Sequence, residues 1–327
     1  MATQSPLPQF DGDACSLGWL ALSECGACAR SCPTSALVSG EDGLMLDAAI
    51  CTGCGACAAA CPQRAVAIEG VSPLPPIAPD RAGRMLLVCP ARVPGGVCLQ
   101  ALGLEALAAL WLSGLRSLHL DTGDCASCPS GRALPFTQTL QTLNAILSDR
   151  ALPPLHTAPV TGTRLPRLSD GRDRVDPSRR ALFGSLARGL APETRPALAH
   201  LQAYPGPAPR HAHSPRIDPA LCTGCNACLR ICPASAMTLI NTADGNPAYH
   251  MASSDCSGCS QCTEVCESDA ITIDTLAPAA PDLALRRFQC RACGTPGHLP
   301  ADHLRADGLC PICARTRHHA KLHQVIA

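Results

Sequence analysis

Four cysteine runs constrain this chain more than any other feature. Residues 222–232 read Cys222-x2-Cys225-x2-Cys228-x3-Cys232, followed by Pro233. The spacing returns at Cys256, Cys259, Cys262 and Cys266, and at Cys51, Cys54, Cys57 and Cys61, the last followed by Pro62. A fourth run has lost its first member: Cys25, Cys28, Cys32 and Pro33 stand in register, but Leu22 occupies the position three before Cys25. Only 2% of the residues are aromatic, so the large side chains that usually dominate cores are scarce. A metal site can replace a thin core, because metal binding supplies folding energy. Thiolates are soft anionic ligands suited to that role.

A disulfide framework is the competing use of 24 cysteines. Disulfide scaffolds are short secreted chains, and Met1–Asp13 has neither the basic start nor the apolar stretch of a secretory signal. The expected location is cytoplasmic. The longest apolar stretch, Leu102–Leu115, contains Glu105 and is too short to span a bilayer, so direct membrane insertion is not expected. Formal net charge is zero, which gives no global field favouring nucleic acid.

The run spacing is that of the cysteines holding [4Fe–4S] cubanes in bacterial-type ferredoxins, and residues 14–70 and 216–275 resemble the dicluster ferredoxin family. The resemblance implies a duplicated hairpin-and-helix fold. It also implies that three cysteines of a run hold one cluster, while the fourth opens a short helix and reaches the cluster of the partner run. Cys222, Cys225, Cys228 and Cys266 would then share one cubane, and Cys256, Cys259, Cys262 and Cys232 the other. In the first pair, Cys51, Cys54, Cys57 and Cys32 form a complete set. Cys25, Cys28 and Cys61 lack a fourth ligand. Cys15 folding back, a [3Fe–4S] cluster, or an iron with a non-cysteine ligand would each resolve the deficit. About four clusters follow, one of them atypical. Zinc fits these runs poorly, because zinc sites use pairs of cysteines rather than triplets followed by Cys-Pro.

Prolines 73, 75, 76 and 79 mark a linker, after which residues 84–160 alternate strand and helix patterns. Met85–Cys89, Ser117–Leu120 and Leu155–Val160 read as strands, Leu99–Leu112 and Arg132–Leu147 as helices, which predicts a parallel sheet. Cys89 and Cys125 fall just past adjacent strand ends, the usual site in open α/β sheets, with Cys98 and Cys128 able to join them. The pattern Cys89-x8-Cys98-x26-Cys125-x2-Cys128 is similar to that of thioredoxin-like [2Fe–2S] ferredoxins and of the small iron–sulfur subunit of methyl-viologen-reducing hydrogenases, with different spacing. An additional iron–sulfur cluster, zinc, a redox dithiol at Cys125 and Cys128, and structural thiols all remain open.

Residues 161–215 read as a Pro/Arg-rich linker with a short helix near 178–190. Residues 286–327 carry two Cys-x2-Cys knuckles, Cys290/Cys293 and Cys310/Cys313, a tetrahedral four-cysteine pattern for zinc or a single iron. It resembles a zinc ribbon or the rubredoxin-like knuckles of rubrerythrins. The nearby His318, His319 and His323 read as solvated.

The predicted fold class is α+β and multidomain: two dicluster ferredoxin-like modules flanking a small α/β parallel-sheet domain, plus a C-terminal four-cysteine ribbon. There is no phosphate loop, dinucleotide fingerprint or nucleophile motif, so no catalytic residue is assigned. With Cys15 counted, every cysteine has a place in a metal-ligand set. The expected function is an electron relay between a partner oxidoreductase and a carrier. Ser178-Arg179-Arg180-Ala181-Leu182-Phe183 is reminiscent of cytoplasmic ferredoxin accessories of molybdenum-dependent reductases, which suggests a molybdopterin or hydrogenase-type partner. The alternatives are a maturation or interaction factor, or a non-catalytic subunit of a larger redox complex.

Overall fold

The computed structural model describes residues 7–40, 43–68, 78–94, 96–132, 136–160, 165–168 and 195–317. The expected helix near 178–190, the Ser178–Phe183 run and the three C-terminal histidines lie outside the described residues. The chain divides into two compact units, Met1–Arg210 and His211–Ala327.

The first unit opens with a small duplicated module. Strand Pro8–Phe10 pairs antiparallel with Val66–Ile68, with Pro8 opposite Ile68. Between them come helix Ala27–Arg30, the hairpin Leu37–Gly40/Gly43–Leu46, and helix Ala56–Ala60. The pairing carries this module back to Pro8, ahead of the residue 14 boundary read from the sequence. Its core is thin: Leu37 and Val66 pack with Cys28, and Cys32, Cys57 and Cys61 lie against them. The cysteines are themselves core residues, as a chain poor in aromatics requires.

The rest of the unit is a four-stranded parallel sheet in the order His156–Pro159, Ser117–Asp121, Arg84–Val88, Arg167–Leu168. Its core is aliphatic; Met85, Leu87, Leu107, Leu118, Leu143, Ile146 and Leu168 are fully buried. The predicted helix over 99–112 is broken: a 3-10 turn spans Leu99–Ala101, and the α-helix starts at Leu104 behind Gly103. Gly103 is needed because a Cβ there would sit 2.5 Å from the Ala59 carbonyl oxygen.

Part of the segment read as linker belongs to this fold. Arg167–Leu168 is the sheet's edge strand, and helix Ala197–Gln202 packs against Leu104–Leu112. The Glu105 carboxylate accepts the backbone N–H groups of Ala197 (2.7 Å) and Leu198 (3.0 Å). A carboxylate at a helix start satisfies N–H groups that have no partner within the helix, which lets so short a helix form.

The second unit repeats the module. Strands Arg210–Ile217 and Ile271–Pro278 pair, flanking helix Ala227–Ile231, the hairpin Met237–Asn241/Pro247–Met251, and helix Gln261–Glu264. The hairpin sheet then continues: Pro247–Met251 pairs with Leu283–Gln289, which pairs with Pro296–Pro300. The two knuckles follow the last two of these strands, so one sheet joins the hairpin to the knuckle segment.

Candidate metal centres

Each complete run builds the same loop. The residues before and after its second cysteine both have positive φ: Gly53 (64°) and Gly55 (79°), Gly224 (68°) and Asn226 (63°), Gly258 (73°) and Ser260 (61°). Two left-handed turns in one short loop fold the three thiols inward, and glycine takes four of the six positions because it reaches that conformation without strain. A short helix then carries the third cysteine.

The fourth cysteine follows that helix rather than opening one, which corrects the sequence expectation. Cys61 and Cys232 are C-caps with extended backbone (φ −74°, ψ 111° and φ −72°, ψ 109°). The reason is the proline next in sequence, whose ring disfavours helical geometry in the residue before it. Three residues beyond every fourth cysteine the chain turns left-handed again, at Ser35, Arg64, Ser235 and Asp269. That turn aims a backbone N–H back at sulfur: Ala65 to Cys61 Sγ, Ala236 to Cys232 Sγ and Ala270 to Cys266 Sγ, each at 3.3 Å.

The four turns gather the thiols in crossed sets. One cavity is lined by Cys222, Cys225, Cys228 and Cys266. A second is lined by Cys232, Cys256, Cys259 and Cys262. In the first unit Cys51, Cys54, Cys57 and Cys32 line a third. Burial is the main force on these thiols, and neighbouring sulfurs add to it. Burial, then the charge of Cys54, pushes Cys57 up to about 12. Burial, then Cys225 and Cys222, pushes Cys228 up to about 12. Burial takes Cys256 up to about 11, with Cys259 and Cys232 adding charge. Clustered, buried sulfurs that resist ionisation are paired with a cationic group or stay protonated, so the pattern fits a metal-cluster cradle.

The damaged run is built differently. Gly26 has φ −124° and Glu24 is not left-handed, so neither inward turn forms. Leu22 is 68% exposed and turned to solvent. Cys15, the N-cap of helix Ser16–Trp19, is the further thiol whose charge Cys28 feels. Burial and then the charges of Cys61, Cys25 and Cys15 push Cys28 up to about 11. These four sulfurs share one electrostatic neighbourhood.

In the middle domain, Cys89, Cys98, Cys125 and Cys128 line one cavity with Gln100 and Ser130. The knuckles form a tight group: the Sγ atoms of Cys290, Cys293, Cys310 and Cys313 all lie within 4.8 Å of one another. The N–H of Cys310 points to Cys290 Sγ (3.2 Å) and that of Cys313 to Cys310 Sγ (3.4 Å). Backbone N–H groups of Cys293 and Cys310 stabilise the Cys290 thiolate and bring its pKa down to about 6. A thiolate held ready among three more sulfurs at this spacing fits a single tetrahedral ion.

Sequence reading did not single out the polar residues around these cradles. The Tyr249 hydroxyl donates to Asn226 Oδ1 (2.6 Å), and His298 Nε2 lies 2.9 Å from the same oxygen. Their contacts join positions far apart in the chain, and no local pattern marks them.

The family model of the 4Fe-4S dicluster domain matches residues 23–65 and 221–270. Both matches fall on the paired cysteine runs, so the chain carries two ferredoxin-like iron–sulfur modules. Such modules are suited to electron transfer. No curated protein matches the chain significantly. Among the described residues no helix is long and apolar enough to cross a membrane.

Proposed function

We propose that the chain is a multi-cluster electron relay with four cubane-type sites. The supporting observation is the crossed grouping of thiols, in which three cysteines of one run share a cavity with the fourth of the other. The ligand sets are Cys222, Cys225, Cys228 and Cys266; Cys256, Cys259, Cys262 and Cys232; Cys51, Cys54, Cys57 and Cys32; and Cys25, Cys28 and Cys61 with Cys15 as the fourth. When bound, the clusters supply one-electron chemistry. The protein's part is to exclude water, fix the sulfurs and aim N–H dipoles at them, which tunes potential.

Within each module the two sites are neighbours. Cys262 feels the charge of Cys228, and Cys57 that of Cys28. The knuckle cysteines bind zinc as a structural ion, since a four-cysteine site leaves no open position. The partners of this reading are an oxidoreductase, of molybdopterin or hydrogenase type, and a one-electron carrier.

Iron, acid-labile sulfide and zinc per chain on anaerobically purified protein test the proposal. Four cubanes require roughly 16 iron with matching sulfide. Iron near half that value, with extra zinc, would mean that one module holds no clusters, and the relay reading would fall.

A further inference from the structure

We infer that Cys89, Cys98, Cys125 and Cys128 bind a further iron–sulfur cluster, placed to exchange electrons directly with the site at Cys51, Cys54 and Cys57. The relay function rests on the preceding proposal; the cluster site itself rests on the geometry of the sheet domain, which lies outside both matched regions.

The parallel sheet brings the four thiols together at one edge. Cys89 follows strand Arg84–Val88, and its N–H donates to the Asp121 carbonyl at the end of the adjacent strand (2.9 Å). The chain then doubles back, with the Val97 N–H bonded to the Val88 carbonyl (2.9 Å), which sets Cys98 beside Cys89. Gly96 makes this return possible, since a Cβ there would collide with the Val88 carbonyl oxygen. Cys125 and Cys128 arrive on the loop after Ser117–Asp121.

The cavity they line is no smaller than those of the second ferredoxin module. Including its mouth it encloses about 430 Å³, against about 320 Å³ at Cys222–Cys266 and about 310 Å³ at Cys232–Cys262. A zinc ion at about 2.3 Å from each sulfur needs sulfurs about 3.8 Å apart. Among the described residues only the knuckle set is gathered that closely, within 4.8 Å. Neither the sheet-domain thiols nor the ferredoxin thiols form a group that tight.

Gln100 supplies an independent sign of a ligand. It is 3% exposed and lines the cavity, and neither its Nε2 nor its Oε1 has a hydrogen-bond partner. A buried primary amide without partners costs on the order of 1–3 kcal/mol. A cluster sulfide or thiolate ligand in the cavity would accept from its N–H.

The site adjoins the first ferredoxin module. The Ser130 hydroxyl, on the cavity wall, donates to Thr52 Oγ1 (2.8 Å), beside Cys51. Gly55, next to Cys54, has no room for a side chain: its Cβ would lie 2.7 Å from that of Ala101. The Cys98 thiol feels the charge of Cys54 as well as those of Cys89 and Cys128. Transfer between the two sites moves one electron, oxidising one cluster and reducing the other, with no bond or proton change.

The test compares full-length wild type with Cys125→Ser/Cys128→Ser, purified anaerobically. The variant should lose about 2–4 iron and an equal count of sulfide per chain, with zinc unchanged. Retained ferredoxin electron paramagnetic resonance signals show that the variant is folded. Cys128→Ser alone is the milder second variant and should lose the same iron and sulfide. In wild type, one ferredoxin signal should show spin coupling that disappears in the variants. Unchanged iron and sulfide, or loss of zinc alone, would overturn the site. Loss of iron with no change in any ferredoxin signal would overturn the direct exchange. A wild-type iron content too low for four cubanes would count against the relay and leave this difference measurement intact.

Discussion

The Tyr249 hydroxyl donates to Asn226 Oδ1 at 2.6 Å, and Asn226 is the left-handed residue that turns the loop between Cys225 and Cys228 inward. His298 reaches the same oxygen from strand Pro296–Pro300. The loop is pressed so closely against that strand that a Cβ on Gly224 would strike the His298 carbonyl oxygen. The knuckle sheet therefore braces one cluster loop of its own unit. Tyr249→Phe removes the hydroxyl that bonds Asn226 and lies 3.1 Å from His298 Nε2, and should cost about 1–2 kcal/mol of stability. It should also shift the potential of a single cluster and leave iron content unchanged. A redox titration followed by electron paramagnetic resonance reads this, and a uniform shift of every signal would contradict it.

The crossed cavities predict a pattern of double variants. Cys266→Ser should damage the site of Cys222, Cys225 and Cys228, whose cavity it lines, and not that of its sequence neighbours. Adding Cys222→Ser should then cause little further loss of iron, because both changes strike one cluster. Adding Cys256→Ser should remove about four more iron. Iron analysis of the two double variants decides the matter. The reverse ordering would mean that each run binds its own cluster.

Local patterns in the sequence carry much of this architecture. The cysteine runs fix the loops because each spacing recurs with glycine or a small polar residue at the left-handed positions. The parallel strands are legible in apolar runs such as Met85–Val88. Strands Pro8–Phe10 and Arg167–Leu168 are too short to show any period, and they form only because a distant partner strand is present. Helix Ala197–Gln202 has no cap of its own and depends on Glu105. Gln100 lies in the stretch read as a helix, and nothing local marks it as a residue that the fold buries.

Cys15 is the thiol proposed to complete the first run, where Leu22 has no ligand atom and faces solvent. Cys15→Ser should convert one cluster to a [3Fe–4S] form or lose it, leaving the others intact. Leu22→Cys placed on that background restores the sequence pattern but not the left-handed turns, which Glu24 and Gly26 lack. It should therefore fail to restore the fourth ligand. Recovery of the full iron count and loss of the [3Fe–4S] signal in the Cys15→Ser/Leu22→Cys protein would refute this account.

The knuckle ion should be separable from the iron. Cys293 is exposed, whereas Cys290 and Cys313 are buried. A strong zinc chelator should remove about one zinc per chain while visible absorption from iron–sulfur clusters persists. Loss of the ion should loosen strand Pro296–Pro300 and so reproduce the potential shift of Tyr249→Phe at the same cluster. Zinc release that leaves every potential unchanged would show that the sheet braces the loop without the ion.

Asp149 and Arg210 give a pH signature independent of metal. Hydrogen bonds from Arg210 Nε (2.8 Å) and Nη2 (3.0 Å) hold the Asp149 carboxyl below the usual carboxylate range, against a weaker opposing effect of burial. Because the folded pKa is the lower one, the pair's stabilisation is complete above the unfolded value of about 3.9 and is lost as pH falls through the folded value. Asp149→Asn should therefore lower the anaerobic denaturation midpoint by a constant amount between about pH 5 and about pH 8. The gap should narrow only on further acidification. A gap that instead grows or closes within the neutral range would assign the effect to another titrating group, since Asp149 stays ionised there in both folded and unfolded chains.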